Sequence, residues 1–274
     1  LDRAKSIGIV TAIVIRIFLL GKQIGLLMFL MGLMGNLAGN SNVSADDIWV
    51  IESQTVNANT LNKIDSRYVQ ELRSIPFVLE SQAVVIGSGE ARFLDGQTAG
   101  VTIIGSSAPQ FVIGPNPSKI HEGKLQDLNL PDAVSAEYFN AKSWNTKLHV
   151  DKAIEINGKS AIIKVITKQA QAFGGNYMYT SLNNARYLGN VEADRVSLIS
   201  LKLSDSKNKE AVIATINKRF PNLRAWDVEE LRVSTVKEIL ISSNMGMSFG
   251  TLVIFAMISG FFIIGLTLYS SALD

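Results

Sequence analysis

The chain has 274 residues, of which 47% are hydrophobic and 18% are charged, and its formal net charge is +2. Between residues 40 and 243 the 22 Lys and Arg side chains are balanced by 22 Asp and Glu side chains, so the excess charge belongs to the two ends. A neutral middle argues against a nucleic-acid-binding protein, which needs a basic face. The absence of cysteine excludes disulfides and thiolate metal sites.

The first apolar segment, IGIVTAIVIRIFLLGKQIGLLMFLMGLMGNL, contains Arg16 and Lys22. A membrane span centred on Arg16 would cost about 3 kcal/mol, whereas a span centred near Phe29 leaves Lys22 at one end, where its ammonium group reaches the headgroups. The sequence therefore predicts a transmembrane helix over 18–39, preceded by a basic cytoplasmic approach helix over 1–17. A cleaved signal peptide is the alternative, which the following LAGNS keeps open.

Two strand–helix–strand patterns flank the middle of the chain. The first consists of DDIWVIES, a helix with apolar residues from Leu61 to Ile75 that ends before Pro76, and FVLESQAVVIG. The second consists of RVSLISLKL, SKNKEAVIATINKRF and NLRAWDV. Two such units separated in sequence can pair in one sheet, so the fold class predicted is α+β with a split ferredoxin-like (βαβ…βαβ) domain.

This domain would occupy 40–243, with its two halves at 45–91 and 192–243. Between the halves, 92–191 reads as a mostly-β inserted lobe with strands in GVTIIGSS, DAVSAEYF, IEINGKSAIIKVIT and YMYTS. The INGK within the third of these predicts a hairpin turn.

The second apolar segment has no charged residue among the 22 positions of 247–268. A helix of that length reaches about 33 Å and can cross a bilayer. We predict a transmembrane helix over 244–269, entered by a helix from about residue 228, with 270–274 as the start of a cytoplasmic segment. Positive charges before the first span place the N-terminus in the cytoplasm and 40–243 in the periplasm, although Arg232 and Lys237 are a mild counter-signal.

Small residues recur at helical spacing in both predicted spans and form a candidate helix-packing face. Glycines at such spacing let helix backbones approach closely in lipid. The alternative is that glycine is simply common in membrane helices. The face comprises Gly21, Gly25, Gly32, Gly39, Gly246, Gly250 and Gly260.

No motif in the sequence predicts a catalytic, cofactor or metal site. Gly87-Ser88-Gly89 follows a predicted strand, but Arg92 stands where a dinucleotide fingerprint needs its third glycine. No nucleotide-binding P-loop pattern occurs, and neither His121 nor His149 has a second ligand at metal spacing. The sequence therefore predicts a non-catalytic protein without a cofactor.

The arrangement resembles the permease subunits of MacB/FtsX-type ABC exporters, most closely the DevC branch. The resemblance covers essentially the whole chain and rests on four segments in order. They are LLMFLMGLMGNL leading into ADDIWVIESQT, IDSRYVQELRSIPFV, EGKLQDLNLPDAVSAEYF, and FPNLRAWDVEELR leading into the second apolar segment. Arg16 and Lys22 depart from the family pattern at the start of the first span.

The resemblance implies a four-span permease with a porter-like periplasmic domain, of which this chain is an N-terminal fragment that lacks the last two spans. It further implies a separate ATP-binding subunit, a periplasmic membrane-fusion protein, an outer-membrane channel and a homodimer in the lipid bilayer. A lipid or glycolipid cargo is suggested by the DevC branch.

A membrane-bound sensor is the alternative function. Two spans around a periplasmic ligand-binding domain of about 200 residues are also the plan of chemoreceptors and sensor kinases. Their outer domains usually contain one curved sheet or a helical bundle, and two strand–helix–strand units around an insert favour the exporter.

Overall fold

The structure is a computed structural model that describes residues 47–58, 61–107, 111–171 and 175–242, together with single helical positions within 14–25 and 247–269. The chain divides into two units, one formed by Leu1–Leu33 with Val236–Asp274 and the other by Met34–Thr235. Among the described residues, no helix is both long enough and apolar enough to cross a membrane. Most of the approach helix at 1–17 and of the two predicted spans, 18–39 and 244–269, lies outside the described residues.

The described part of the Met34–Thr235 unit contains twelve strands. In chain order, β1 to β12 are Ile48–Glu52, Ile64–Asp65, Val78–Phe93, Thr98–Ser106, Ile120–Glu122, Ala133–Glu137, Lys152–Ile156, Lys159–Thr167, Tyr177–Ser181, Arg195–Val196, Leu198–Leu203 and Leu223–Asp227. The α-helices α1 to α5 are Tyr68–Arg73, Asn140–Ser143, Leu182–Leu188, Lys209–Arg219 and Val228–Ser242. Short 3₁₀ turns lie at Pro117–Lys119, Leu125–Asn129 and Ser206–Asn208.

Four strands form an antiparallel sheet in the order β12-β1-β11-β3. The chain enters it through β1-α1-β3 and returns through β11-α4-β12, so each strand–helix–strand unit has one strand of the other unit between its own two strands. This is the split ferredoxin-like arrangement.

Both faces of this sheet are covered, which explains why β1 is apolar at its first four positions. In β1, Ile48 and Val50 pack into the cluster that contains Leu72 of α1 and Ile216 of α4. The alternate residues of β1 point to the opposite face and pack into a second cluster. Strand side chains alternate between faces, so a run such as IWVI can serve two cores at once.

The predicted inserted lobe continues the same sheet. Strand β3 has 16 residues, pairs with β11 in its first half, and pairs with β4 and β7 further along. Strand β8 then pairs with β7 and β5, while β6 and β9 add parallel pairings to β8 and β4. The boundary predicted at residue 92 therefore falls inside a strand that both parts share.

The helix predicted from Leu61 to Ile75 is shorter than expected, because its first part is extended. Ile64 and Asp65 form β2, which pairs with β10, and α1 begins only at Tyr68. The Asp65 carboxylate accepts a hydrogen bond from the Arg67 backbone N–H at 2.9 Å. Such a local bond competes with helical hydrogen bonding, which spacing alone does not reveal.

Two glycine-containing motifs are explained by strand geometry. In the predicted hairpin turn between β7 and β8, Asn157 and Gly158 have φ of 52° and 74°, as a tight two-residue hairpin requires. Gly87 lies within β3 and has no helix after it. A Cβ at Gly87 would lie 2.9 Å from the Gly189 Cα, so a glycine at this position allows the two backbones to approach closely.

Candidate functional site

The two ends of the described domain leave the sheet side by side. Strand β1 begins at Ile48, and β12 ends at Asp227 and passes directly into α5. The antiparallel register places Ile48 opposite Asp227. The connections toward the two predicted spans therefore start at the same end of two neighbouring strands. We refer to β1, β12, the first two turns of α5 and residues 56–58 as the coupling site.

Apolar packing holds the start of α5 against the sheet. Val228 and Leu231 are 3% and 1% exposed and share a core cluster with Trp49, Ile51 and Ala58. Trp49 lies directly opposite Trp226 of β12. Each fully buried side chain of this size contributes about 1.5–3 kcal/mol relative to an exposed one, so the first turns of α5 are a firmly attached part of the domain.

Hydrogen bonds join the two connections across 177 residues of sequence. The fully buried Thr235 hydroxyl accepts from the Ala58 backbone N–H at 2.9 Å and donates to the Leu231 carbonyl at 2.8 Å. One residue earlier, the Ser234 hydroxyl donates to the Val56 carbonyl at 3.1 Å. A displacement of α5 would therefore break bonds to the segment that follows β1.

Charged groups fix the corner between β12 and α5. Asp227 accepts a hydrogen bond from the Glu229 backbone N–H at 2.7 Å, in the first turn of the helix. Its carboxylate also forms an ion pair with Lys209 at the start of α4, and the two side chains are only 23% and 15% exposed. A carboxylate at a helix N-terminus is favoured by unpaired N–H groups and by the helix dipole.

A second polar cluster lies where β3 leaves β11. The Lys63 ammonium group donates to the Ile86 carbonyl and, at 2.7 Å, to the Ser197 hydroxyl. The same hydroxyl accepts from the Ile86 backbone N–H at 2.7 Å. Burial lowers the pKa of Lys63, and the nearby Glu192 carboxylate opposes that shift. This lysine supplies donors to backbone that the ladder between β3 and β11 no longer pairs.

The predicted glycine face is only partly within the described residues. Gly21, Gly25, Gly250 and Gly260 are helical, and among the described residues nothing lies within 4 Å of a Cβ added at any of them. The other three, Gly32, Gly39 and Gly246, lie outside the described residues. The packing role of these glycines stays a prediction.

The coupling site was not predicted from the sequence, although a signal for it exists. Val228, Leu231 and Thr235 follow one another at spacings of three and four, which places them on one face of a helix. A threonine at the last of these positions is ambiguous, because the sequence does not show whether its hydroxyl finds a buried partner. Ala58 carries no pattern that would pair it with residue 235.

The two histidines lie apart and are both exposed. His121 Nε2 is 3.9 Å from its neighbour Glu122, and His149 contacts the carbonyl of the adjacent Val150. Within the described ranges, no group of three or more His, Cys, Asp or Glu side chains could hold a metal ion.

The fold is similar to solved transporter domains. The periplasmic region of MacB from Actinobacillus actinomycetemcomitans matches with a TM-score of 0.51 and 10% identity, over 70% of this chain and 94% of that one. The extracellular domain of the noncanonic ABC-type transporter YknZ from Gram-positive bacteria gives 0.49 and 12%, over 66% and 99%. A domain of a putative permease from Porphyromonas gingivalis gives 0.38 and 12%, over 67% and 90%.

No protein-family model matches this sequence, and no curated protein matches it either. At such low identities a structural match establishes the fold alone. The resemblance to MacB/FtsX-type components predicted from the sequence is confirmed at that level, since the chain has the mixed α/β fold of the MacB periplasmic region.

Proposed function

We propose that the chain is part of a membrane-spanning permease subunit of an ABC-type exporter, with residues 40–243 in the periplasm. The observation that carries this proposal is the register of β1 and β12, because it brings the connections to both predicted spans to one end of the sheet. A domain that is connected twice at one end can be moved as a unit by the spans to which it is connected. The fold shared with the MacB periplasmic region supports the same conclusion.

In this function the coupling site transmits motion. A separate ATP-binding subunit would drive a displacement of the spans, and α5 would pass it to the sheet through Leu231, Thr235 and the Asp227–Lys209 ion pair. The subunit itself would be non-catalytic. It would work as a homodimer with a periplasmic membrane-fusion protein and an outer-membrane channel, as the resemblance implies.

Thiol labelling tests the topology cleanly, because the chain has no native cysteine. We expect Ser160→Cys, at an exposed position of β8, to react with a membrane-impermeant reagent in intact spheroplasts. Ser270→Cys should react only after permeabilisation. Labelling of both variants after denaturation controls for thiol reactivity. Labelling at 270 in intact spheroplasts, or none at 160, would contradict the topology.

The sensor alternative predicts a different outer domain and a different segment after the second span. Its outer domain would hold one curved sheet or a helical bundle, whereas two interleaved strand–helix–strand units are present. In the parent gene, two further apolar spans after Asp274 would support the permease. A coiled-coil or kinase segment there would support the sensor instead.

A further inference from the structure

Two aromatic side chains are exposed side by side immediately after β6. Tyr138 and Phe139 are 46% and 53% exposed, and their rings meet edge to face with centroids 5.6 Å apart. The Lys168 ammonium group lies 5.4 Å from the first ring and 5.8 Å from the second. His121 borders the group, 5.2 Å from Tyr138. We refer to Tyr138, Phe139 and Lys168 as the distal patch.

A buried carboxylate holds the backbone beneath the distal patch in place. Glu137 is 2% exposed and accepts hydrogen bonds from the Thr167 hydroxyl at 2.9 Å, the Gln169 N–H at 2.7 Å and the Ala170 N–H at 3.1 Å. Without those donors, burying the carboxylate would be costly. The turn that carries Lys168 is therefore fixed to the strand end that carries Tyr138 and Phe139, and the patch is pre-organised for binding.

The fold does not account for the exposure of these rings. Aromatic side chains that are rigidly presented next to a cation are typical of the residues that dominate protein interfaces, since they bury a large area at little entropic cost. Tyr187 provides a comparison within the same unit. It is 52% exposed and lies under Lys159 at 4.5 Å, but no second exposed ring within the described ranges contacts it.

The charge around the distal patch is positive. The three segments that build it are PSKIHE, YFNAKS and TKQ, which contribute Lys119, Lys142 and Lys168. The carboxylates next to them are Glu122, at 50% side-chain exposure, and the buried Glu137, which interacts electrostatically with Lys119. At the exposed surface Lys142 and Lys168 therefore outnumber Glu122 by one charge. A complementary partner surface would carry acidic groups next to apolar ones.

The distal patch lies at the C-terminal ends of two paired strands. Strand β6 ends at Glu137 and β8 ends at Thr167, and these two residues are partners in the sheet. Ser81 of β3 is level with Ile48, because both pair with Leu201 of β11. Strands β3 and β8 run in the same direction, because both pair antiparallel with β7, so the patch lies toward the opposite end of the strands from the coupling site.

We propose that the distal patch docks an acidic, apolar segment of another protein, which meets the domain at the end away from the predicted spans. The direction rests on the proposed topology, whereas the chemistry of the patch does not. A bilayer and a second copy of the chain are the alternative occupants, and the identity of the molecule cross-linked at the patch distinguishes both from a separate partner protein.

Site-specific photocrosslinking in the full chain and its own cells tests the proposal. p-Benzoylphenylalanine replaces Phe139 in one variant and Tyr187 in the control, so that an exposed ring is exchanged for a ring in both. We expect irradiation to yield a protein adduct at 139 and not at 187, with mass spectrometry mapping the link to a peptide that contains Asp or Glu. Lys168→Glu should reduce the adduct about tenfold, and an Asp or Glu to Lys change in the mapped peptide should restore it.

Several outcomes would overturn the proposal: no adduct at 139 above the level at 187, a lipid adduct, a link to a second copy of this chain, or an adduct unaffected by Lys168→Glu. Lys159→Glu in the 187 variant controls for the charge change, and unfolding of each variant controls for folding. Co-purification with an ATP-binding subunit is measured in parallel. If that subunit co-purifies but no adduct forms, the docking surface is wrong and the exporter function stands. If the adduct forms but no ATP-binding subunit co-purifies, the docking surface stands and the exporter function is wrong.

Discussion

Thr235 uses both hydrogen-bonding roles of its hydroxyl group inside the core, as acceptor from Ala58 N–H and as donor to Leu231 O. Thr235→Val keeps the shape but leaves the Ala58 N–H buried without its acceptor, which should lower the free energy of unfolding by about 1–3 kcal/mol. Urea unfolding of the full chain in detergent, followed by tryptophan fluorescence, measures this.

Thr215→Val is a matched control for that change. Thr215 also donates to the carbonyl four residues earlier, Ala211 O at 2.7 Å, but from an exposed position where water can replace the bond. Its removal should change stability by no more than about 0.5 kcal/mol. Equal losses in the two variants would mean that the bond from Ala58 does not matter.

Lys63 should make stability depend on pH in a defined direction. Burial lowers its folded-state pKa below the ordinary 10.5, so the unfolded chain binds the proton more tightly than the folded one. The free energy of unfolding contributed by this group therefore rises with pH between the folded-state pKa and 10.5. The free energy of unfolding of wild type minus that of Lys63→Met should therefore increase over that interval.

Urea unfolding at a series of pH values up to 10.5 measures that difference. Lys207→Met, in an exposed turn, controls for the loss of one positive charge. If the free energy of unfolding of wild type minus that of Lys63→Met stays constant or decreases as pH rises, the role of burial at Lys63 is contradicted.

At the scale of elements, the β7–β8 hairpin allows backbone strain to be separated from crowding. A Cβ at Gly158 or at Gly100 would meet nothing within 4 Å, but only Gly158 has a positive φ, 74°. Gly158→Ala should therefore lower the free energy of unfolding by about 1–2 kcal/mol, whereas Gly100→Ala in β4 should be neutral or slightly stabilising. The urea unfolding midpoints measure both, and equal changes in the two variants would show that the positive φ at Gly158 does not contribute to stability.

The same elements show what the sequence could predict. Hairpin chemistry and apolar alternation are local, so Asn157-Gly158 and the strands of both strand–helix–strand units were found at nearly their observed positions. The pairing of β2 with β10 joins residues about 130 positions apart, and no local pattern records it. Helical spacing from Leu61 to Ile75 was therefore misleading where a tertiary partner competed for the backbone.

The candidate site follows the same rule. The apolar face of α5 can be read from the spacing of Val228 and Leu231, but its attachment depends on Ala58, which lies 177 residues from Thr235. The distal patch likewise joins three segments, around His121, Tyr138 and Lys168. Such sites are made by the register of distant strands, and a single sequence does not carry that register.

For the whole molecule, the continuity of β3 determines how a displacement would travel. This strand pairs with β11 at one end and with β7 at the other, and nine residues of β3 pair with β4. A sheet with an unbroken central strand resists bending between its halves, because bending would stretch a continuous ladder of hydrogen bonds. A movement that enters at α5 should therefore reach the distal patch as a rigid-body displacement.

The drive for such a movement would come from the predicted spans, and their glycine face makes the last prediction. If Gly25 and Gly32 lie at a close helix–helix contact, replacing both with Leu adds bulk where backbones should approach. Insertion should be unaffected, because Leu is favourable in the bilayer. Export by the full-length protein should fall, and dimer cross-linking should fall with it if the contact is between subunits.

Ala38→Leu is the matched control, since residue 38 is offset by about 100° from the glycine face at 100° per residue and the change also enlarges a small side chain. Expression and membrane insertion of all variants are compared before export is measured. Normal export and unchanged cross-linking in the double variant would mean that these glycines face lipid and that the spans pack through another surface.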